Sequence, residues 1–166
     1  MNFTDSHDLA CFVAGAKVDS SRRLHVRSPY DGRLVGTVAL AGREHTEAAI
    51  QAALHGTPRL TRFQRSEILD KARRLLEERR ESFARLMTSE SGLCVRETLY
   101  EVGRACDVLR FAAMEALRDD GQVFSGDISP QGKARKIFTL REPLSLVVAI
   151  TPFNHPLNQE IGRAHV

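Results

Sequence analysis

Two sets of residues in this 166-residue chain could do chemistry. The first is the turn Ile150-Thr151-Pro152-Phe153-Asn154-His155-Pro156-Leu157-Asn158, which holds a side-chain amide and an imidazole between two prolines. It follows an apolar run over residues 144–150, so it falls outside the carboxyl end of an expected strand, the place where open α/β sheets bind ligands. Asparagine is neutral and donates two N–H groups. At this point Asn154 either satisfies backbone groups in the Pro-rich turn or offers its donors to a ligand. The second set is Cys11, Cys94 and Cys106. Their number is odd and their spacing suits no metal, which predicts reduced structural thiols rather than a disulfide framework.

The elements that must position these residues follow from periodicity. From Cys11 to Leu40, short β-prone runs alternate with turn signals at Gly15 and at Pro29-Tyr30-Asp31-Gly32, which predicts a small antiparallel sheet. Ala49, Ile50, Ala53 and Leu54 then recur at helical spacing until Gly56-Thr57-Pro58. From Thr61 onward, Ile68, Ala72, Leu75, Leu76, Phe83, Leu86 and Met87 form one stripe, a long helix or a broken pair, with Gly92 as its cap. A third helical stretch runs through Val95, Leu99, Val102, Cys106, Leu109, Ala113 and Ala116. Gly103 interrupts it at about 1 kcal/mol against alanine, which suggests close approach by another backbone.

Strand character returns over residues 136–140 and 144–150. The second run is almost wholly apolar, as in a parallel strand covered on both faces. Such a strand needs neighbours, and the few residues after it leave no room for a crossover helix and a second parallel strand. Leaving Leu146, Val147, Val148 and Ile150 uncovered forgoes roughly 1.5–3 kcal/mol each, against domain stabilities of about 5–15 kcal/mol, so a marginal chain is expected.

Composition fits a globular chain, with 42% hydrophobic and 27% charged residues. No run is long and apolar enough for a membrane span. The polar start, with two acids by Asp8, lacks the pattern of a signal peptide, so a cytoplasmic protein is expected. The net charge of +3 comes from arginines and acids interleaved as on solvated helix faces. Only Arg73, Arg74, Arg79 and Arg80 cluster, with Glu77 and Glu78 between them, which argues against nucleic acid.

The segment from Thr151 to Pro156 resembles the aldehyde dehydrogenase motif Thr-Pro-(Trp/Phe)-Asn-(Phe/His)-Pro, which follows the first strand of that family's cofactor domain. The resemblance extends from about Phe12 to Gln159, through the Ser-Pro-Tyr-Asp-Gly turn at 28–32 and Glu90-Ser91-Gly92. Ser91-Gly92-Leu93-Cys94, residues 100–105 and 136–139, and Asn154-His155-Pro156 are similar to the phosphonoacetaldehyde dehydrogenase branch. The resemblance implies an α/β fold: the N-terminal portion of the aldehyde dehydrogenase fold, incomplete, with a small β sheet, helices and then the first strand of a Rossmann-like cofactor domain. It divides the chain into a flexible N-terminus (1–10), the sheet, helices and oligomerisation-type strand (11–143), and the first strand and turn of the cofactor domain (144–159).

For the site, the resemblance implies that Asn154 donates its amide to the aldehyde oxygen as a cysteine thiolate attacks the carbonyl carbon, forming a thiohemiacetal on the way to the acid. Loss of one such donor typically costs about 2.7–4 kcal/mol of transition-state stabilisation. Ile150, Thr151, Pro152 and Phe153 match the segment lining the nicotinamide end of an NAD or NADP cleft. His155 either touches substrate or replaces a packing aromatic. Arg104 either binds an acidic group of the substrate through its guanidinium fork or pairs with Glu101 or Glu97. The partners implied are a small aldehyde and, for the intact enzyme, further copies in a dimer or tetramer.

The family's nucleophile, general base, cofactor-binding lysine and glycines have no counterpart in these 166 residues, so the chain by itself is expected to be inactive. Residues 160–166 depart from the family pattern, and the run from Ile161 resembles one frame of a sequencing-library adapter; an artefactual tail on a truncated gene is expected. One rival is a non-catalytic helical interaction module, derived from the enzyme, that binds through its third helix. A basic nucleic-acid binder is the other. Neither accounts for the segment from Thr151 to Pro156.

Overall fold

The computed structural model describes residues 7–55, 59–152 and 154–163. Phe153, the first six residues, the Gly56-Thr57-Pro58 stop signal and the last three residues of the expected tail lie outside the described residues.

The amino-terminal third is a sheet region, as expected from its turn signals. Strands β2 (Cys11–Val13) and β3 (Ala16–Val18) pair antiparallel. Their two-residue turn puts Ala14 at φ 51° and Gly15 at φ 80°, the left-handed pair that matches the twist of a hairpin. β4 (Arg23–Arg27) and β5 (Leu34–Ala39) also pair antiparallel. Between them the Ser28–Gly32 turn closes through Gly32 N–H to Ser28 O at 2.9 Å and Ser28 N–H to Arg33 O at 2.9 Å. The Asp31 carboxyl is held below its usual range, first by the Ser28 hydroxyl and then by the Arg33 N–H. One expectation is corrected here. Residues 7–9, assigned to a flexible terminus, form β1 (His7–Leu9), which adds to β5 in parallel and makes the sheet mixed.

Helix α1 (Arg43–His55) precedes a four-helix cluster. α2 (Arg62–Glu78) starts with a capping box in which Thr61 Oγ1 accepts the Gln64 N–H at 3.2 Å and Gln64 Oε1 returns the bond to Thr61 N–H at 2.9 Å. The long apolar stripe is a broken pair: the chain kinks at Arg79 and resumes as α3 (Arg80–Ser91). Gly92, at φ 76°, ends α3. α4 (Val95–Glu115) then crosses the cluster and packs on α2, α3 and α5 (Pro156–Arg163). Leu76, Ala84, Met87, Val102, Ala105, Cys106 and Leu109 form the core, with Leu157 and Ile161 of α5 packed against it.

Further expectations meet differences. Residues 144–150 form no strand, because none of the described residues offers them a ladder, and Leu144 and Ile150 are 75% and 82% exposed. The 136–140 run pairs only over β7 (Lys136–Phe138), antiparallel to β6 (Val123–Ser125). α5 extends through residues 160–163. Among the described residues Gly103 meets no backbone from another element; a Cβ there would find only the Arg80 guanidinium, at 3.9 Å. Most of the apolar stripe of α4 is covered within this chain, from Val102 to Ala113, whereas Val95 is 40% exposed.

Candidate active site

Glu97, Tyr100, Glu101 and Arg104 recur at three- and four-residue steps on α4 and so share one face. With Leu93 and His155 they line a cavity of about 260 Å³. The structure therefore brings together the two residues expected to meet substrate, Arg104 and His155, one from α4 and the other from the bend before α5. Arg104 is exposed and makes no salt bridge with a described residue, so the alternative pairing with Glu97 or Glu101 is not formed. Asn154 lies exposed in the same bend.

Glu101 is committed elsewhere. It is 3% exposed, and its Oε1 accepts the backbone N–H groups of Leu157 at 2.9 Å and Asn158 at 3.0 Å. Its Oε2 lies 3.5 Å from His155 Nδ1, an ion pair when the imidazole is protonated. On the other side of the bend, Thr151 Oγ1 donates to Glu160 Oε2 at 3.3 Å. Asn158 Oδ1 is buried without a hydrogen-bond partner among the described residues. The sequence reading did not give Glu101 a role of its own. Its signal was positional, since Thr98, Glu101 and Ala105 mark a second buried face of α4 that contains one acid.

Of the residues expected to border a cofactor, Ile150 is 82% exposed, Pro152 is exposed and Thr151 is half-buried. The thiols keep to structural settings with one change. Cys106 is buried, and burial first, then the hydrogen bond to Glu77, pushes its thiol up to about 11. Cys11, half-buried in β2, donates its S–H to Ala39 O at 3.1 Å. Cys94 is exposed, at the N-cap position just outside α4. Among the described residues no three His, Cys, Asp or Glu side chains group as metal ligands, and no helix is long and apolar enough to cross a membrane.

The family profile of the aldehyde dehydrogenases matches residues 16–165. The chain belongs to the aldehyde dehydrogenase family. It is 35% identical over 138 residues to aspartate-semialdehyde dehydrogenase 1 of Pseudomonas canavaninivorans, covering 81% of this chain and 29% of that protein. To 3-sulfolactaldehyde dehydrogenase of Priestia aryabhattai it is 30% identical over 158 residues, 95% of this chain and 33% of the relative. Among solved structures it matches NADP-dependent glyceraldehyde-3-phosphate dehydrogenase from Bacillus halodurans, complexed with NADP, with a TM-score of 0.86 at 29% identity over 96% of this chain and 35% of that one. The chain thus spans about a third of these relatives. It superposes on the N-terminal part of the aldehyde dehydrogenase fold and is α/β as expected.

Proposed function

We propose that this chain supplies the oxyanion and substrate-anion corner of an NAD(P)-dependent aldehyde dehydrogenase that oxidises a small anionic aldehyde, phosphonoacetaldehyde in the first instance, to its acid. The observation that carries the reading is the cavity shared by Arg104 and His155, with Glu97 and Glu101 also in its wall, in which the guanidinium makes no salt bridge with a described residue and Asn154 lies one residue from His155. An unpaired guanidinium beside a cavity suits a phosphonate or carboxylate, which its fork can bind in bidentate fashion. The names of three relatives point the same way. Aspartate semialdehyde, 3-sulfolactaldehyde and glyceraldehyde 3-phosphate all carry an anionic group besides the aldehyde.

In this reading Arg104 anchors the anionic end, His155 borders it, and Asn154 donates to the aldehyde oxygen as negative charge develops there. The cysteine nucleophile and the general base belong to the rest of the enzyme. Cys106 is unsuited to attack because it is buried, and burial raises its thiol to about 11. Ile150, Thr151 and Pro152, with Phe153, border the nicotinamide, which accepts the hydride when bound. The intact enzyme assembles as a dimer or tetramer.

The test is to sequence the gene across both ends of these codons, express the encoded protein and follow NAD(P)H formation with phosphonoacetaldehyde, 3-sulfolactaldehyde and aspartate semialdehyde. Turnover of phosphonoacetaldehyde ahead of the others supports the reading. No NAD(P)H from any aldehyde overturns it.

A further inference from the structure

We propose that Glu101 is the positioning residue of the reacting bend: reaching across from α4, it clamps the first turn of α5 and so fixes His155 at the cavity and Asn154 beside it. The catalytic meaning of this clamp rests on the dehydrogenase reading; the clamp itself does not. α5 opens with Pro156, which has no N–H and is suited to the first helical position. The next two N–H groups, of Leu157 and Asn158, need acceptors that the helix cannot supply. Such donors are ordinarily met by a Ser, Thr, Asp or Asn just before the helix, yet the residue there is His155. Glu101 Oε1 takes both bonds instead, at 2.9 and 3.0 Å, and Oε2 faces the imidazole at 3.5 Å.

A carboxyl that is 3% exposed persists only where its oxygens are used, and here all its recorded partners lie in His155, Leu157 and Asn158. Thr151 to Glu160, at 3.3 Å, ties the other side, so the bend is pinned at both ends. Arg104 stands one turn beyond Glu101 on the same helix. One rigid element thereby sets the separation between the anion-binding guanidinium and the oxyanion donor, the distance that decides where an aldehyde's two ends can sit.

Amide hydrogen exchange of the 166-residue chain, read by NMR, tests the clamp. Glu101→Met keeps the volume and the apolar packing but removes both acceptors. We expect exchange at Leu157 and Asn158 to rise about ten-fold or more while amides from Val102 to Leu109 keep their protection, and Glu101→Gln, which retains an acceptor oxygen, to recover most of the loss. Unchanged exchange at Leu157 and Asn158, a loss spread evenly along α4, or a Gln variant no better than Met overturns the proposal. In the complete dehydrogenase, Glu101→Met should lower kcat with little change in the KM for aldehyde; an unaltered kcat overturns the positioning role. If the complete protein oxidises no aldehyde, the dehydrogenase reading fails while the exchange data still decide the clamp.

Discussion

Arg104 of α4 and His155 of the bend before α5 line one cavity, and the arginine meets it without a salt bridge to any described residue. Glu101, three residues before it on the helix, is drawn instead to the backbone of Leu157 and Asn158. In the proposed reading that charge meets the anionic end of the substrate. In the complete enzyme Arg104→Ala should lower kcat/KM for phosphonoacetaldehyde by about 10- to 100-fold, the worth of a charge-assisted pair of bonds, while leaving propanal nearly untouched. Steady-state kinetics with both aldehydes check this. An equal loss on both substrates would place Arg104 in the fold and not in substrate binding.

Gly103 offers a stability prediction that the sequence alone had turned the other way. Its expected role was to admit another backbone, yet the first atom that a Cβ would meet is the flexible Arg80 guanidinium at 3.9 Å. Gly103→Ala should therefore stabilise the chain by about 0.5–1 kcal/mol, the helix-propensity difference. Gly92 is the contrasting case: at φ 76° and with Pro29 Cγ 2.8 Å from a built Cβ, Gly92→Ala should cost about 1–2 kcal/mol. Urea unfolding of the two variants should shift the midpoint in opposite directions; a destabilised Gly103→Ala would restore the close-packing idea.

How much was legible depended on whether a signal was local. The stripes of Leu76, Met87, Val102 and Leu109 announced α2 to α4, because helical periodicity needs no partner to be read. The apolar run at 144–150 announced a strand that did not form, since a strand exists only through a neighbour's hydrogen bonds. In the candidate site, Asn154, His155 and Arg104 were visible as residue types in a motif or on a helix face. Glu101 was not, because its partners are backbone N–H groups 56 and 57 residues away, and backbone donors leave no mark in sequence.

The three thiols should react in the order of their settings. Cys94 is exposed, Cys11 is half-buried with its S–H on Ala39 O, and Cys106 is buried with its thiol raised to about 11. Only the thiolate attacks, so at mildly alkaline pH Cys106 is shielded by both protonation and packing. Titration of the native chain with an aromatic disulfide should give one fast thiol, one slower thiol, and a third released only by denaturant. Cys94→Ser should abolish the fast phase. A fast phase surviving that substitution would mean that Cys106 is not held in the core.

Glu90 makes the stability of the fold depend on pH in a stated direction. Burial, and secondarily the negative charge of Glu101, raise its carboxyl above the ordinary glutamate value of 4.5. The native state therefore holds that proton more tightly than the unfolded chain does, and stability falls wherever the native state binds more protons. The contribution of Glu90 is fully present below 4.5 and is lost as pH rises through the raised native value. Glu90→Gln, which cannot ionise, should gain stability relative to the natural chain as pH climbs through this window, and the difference should level off above it. Urea midpoints of both proteins at intervals from about pH 4 to about pH 8 measure the gap. Parallel curves would mean that Glu90 titrates alike in the folded and unfolded chains, and a gap that narrows with rising pH would mean that the fold favours its charge.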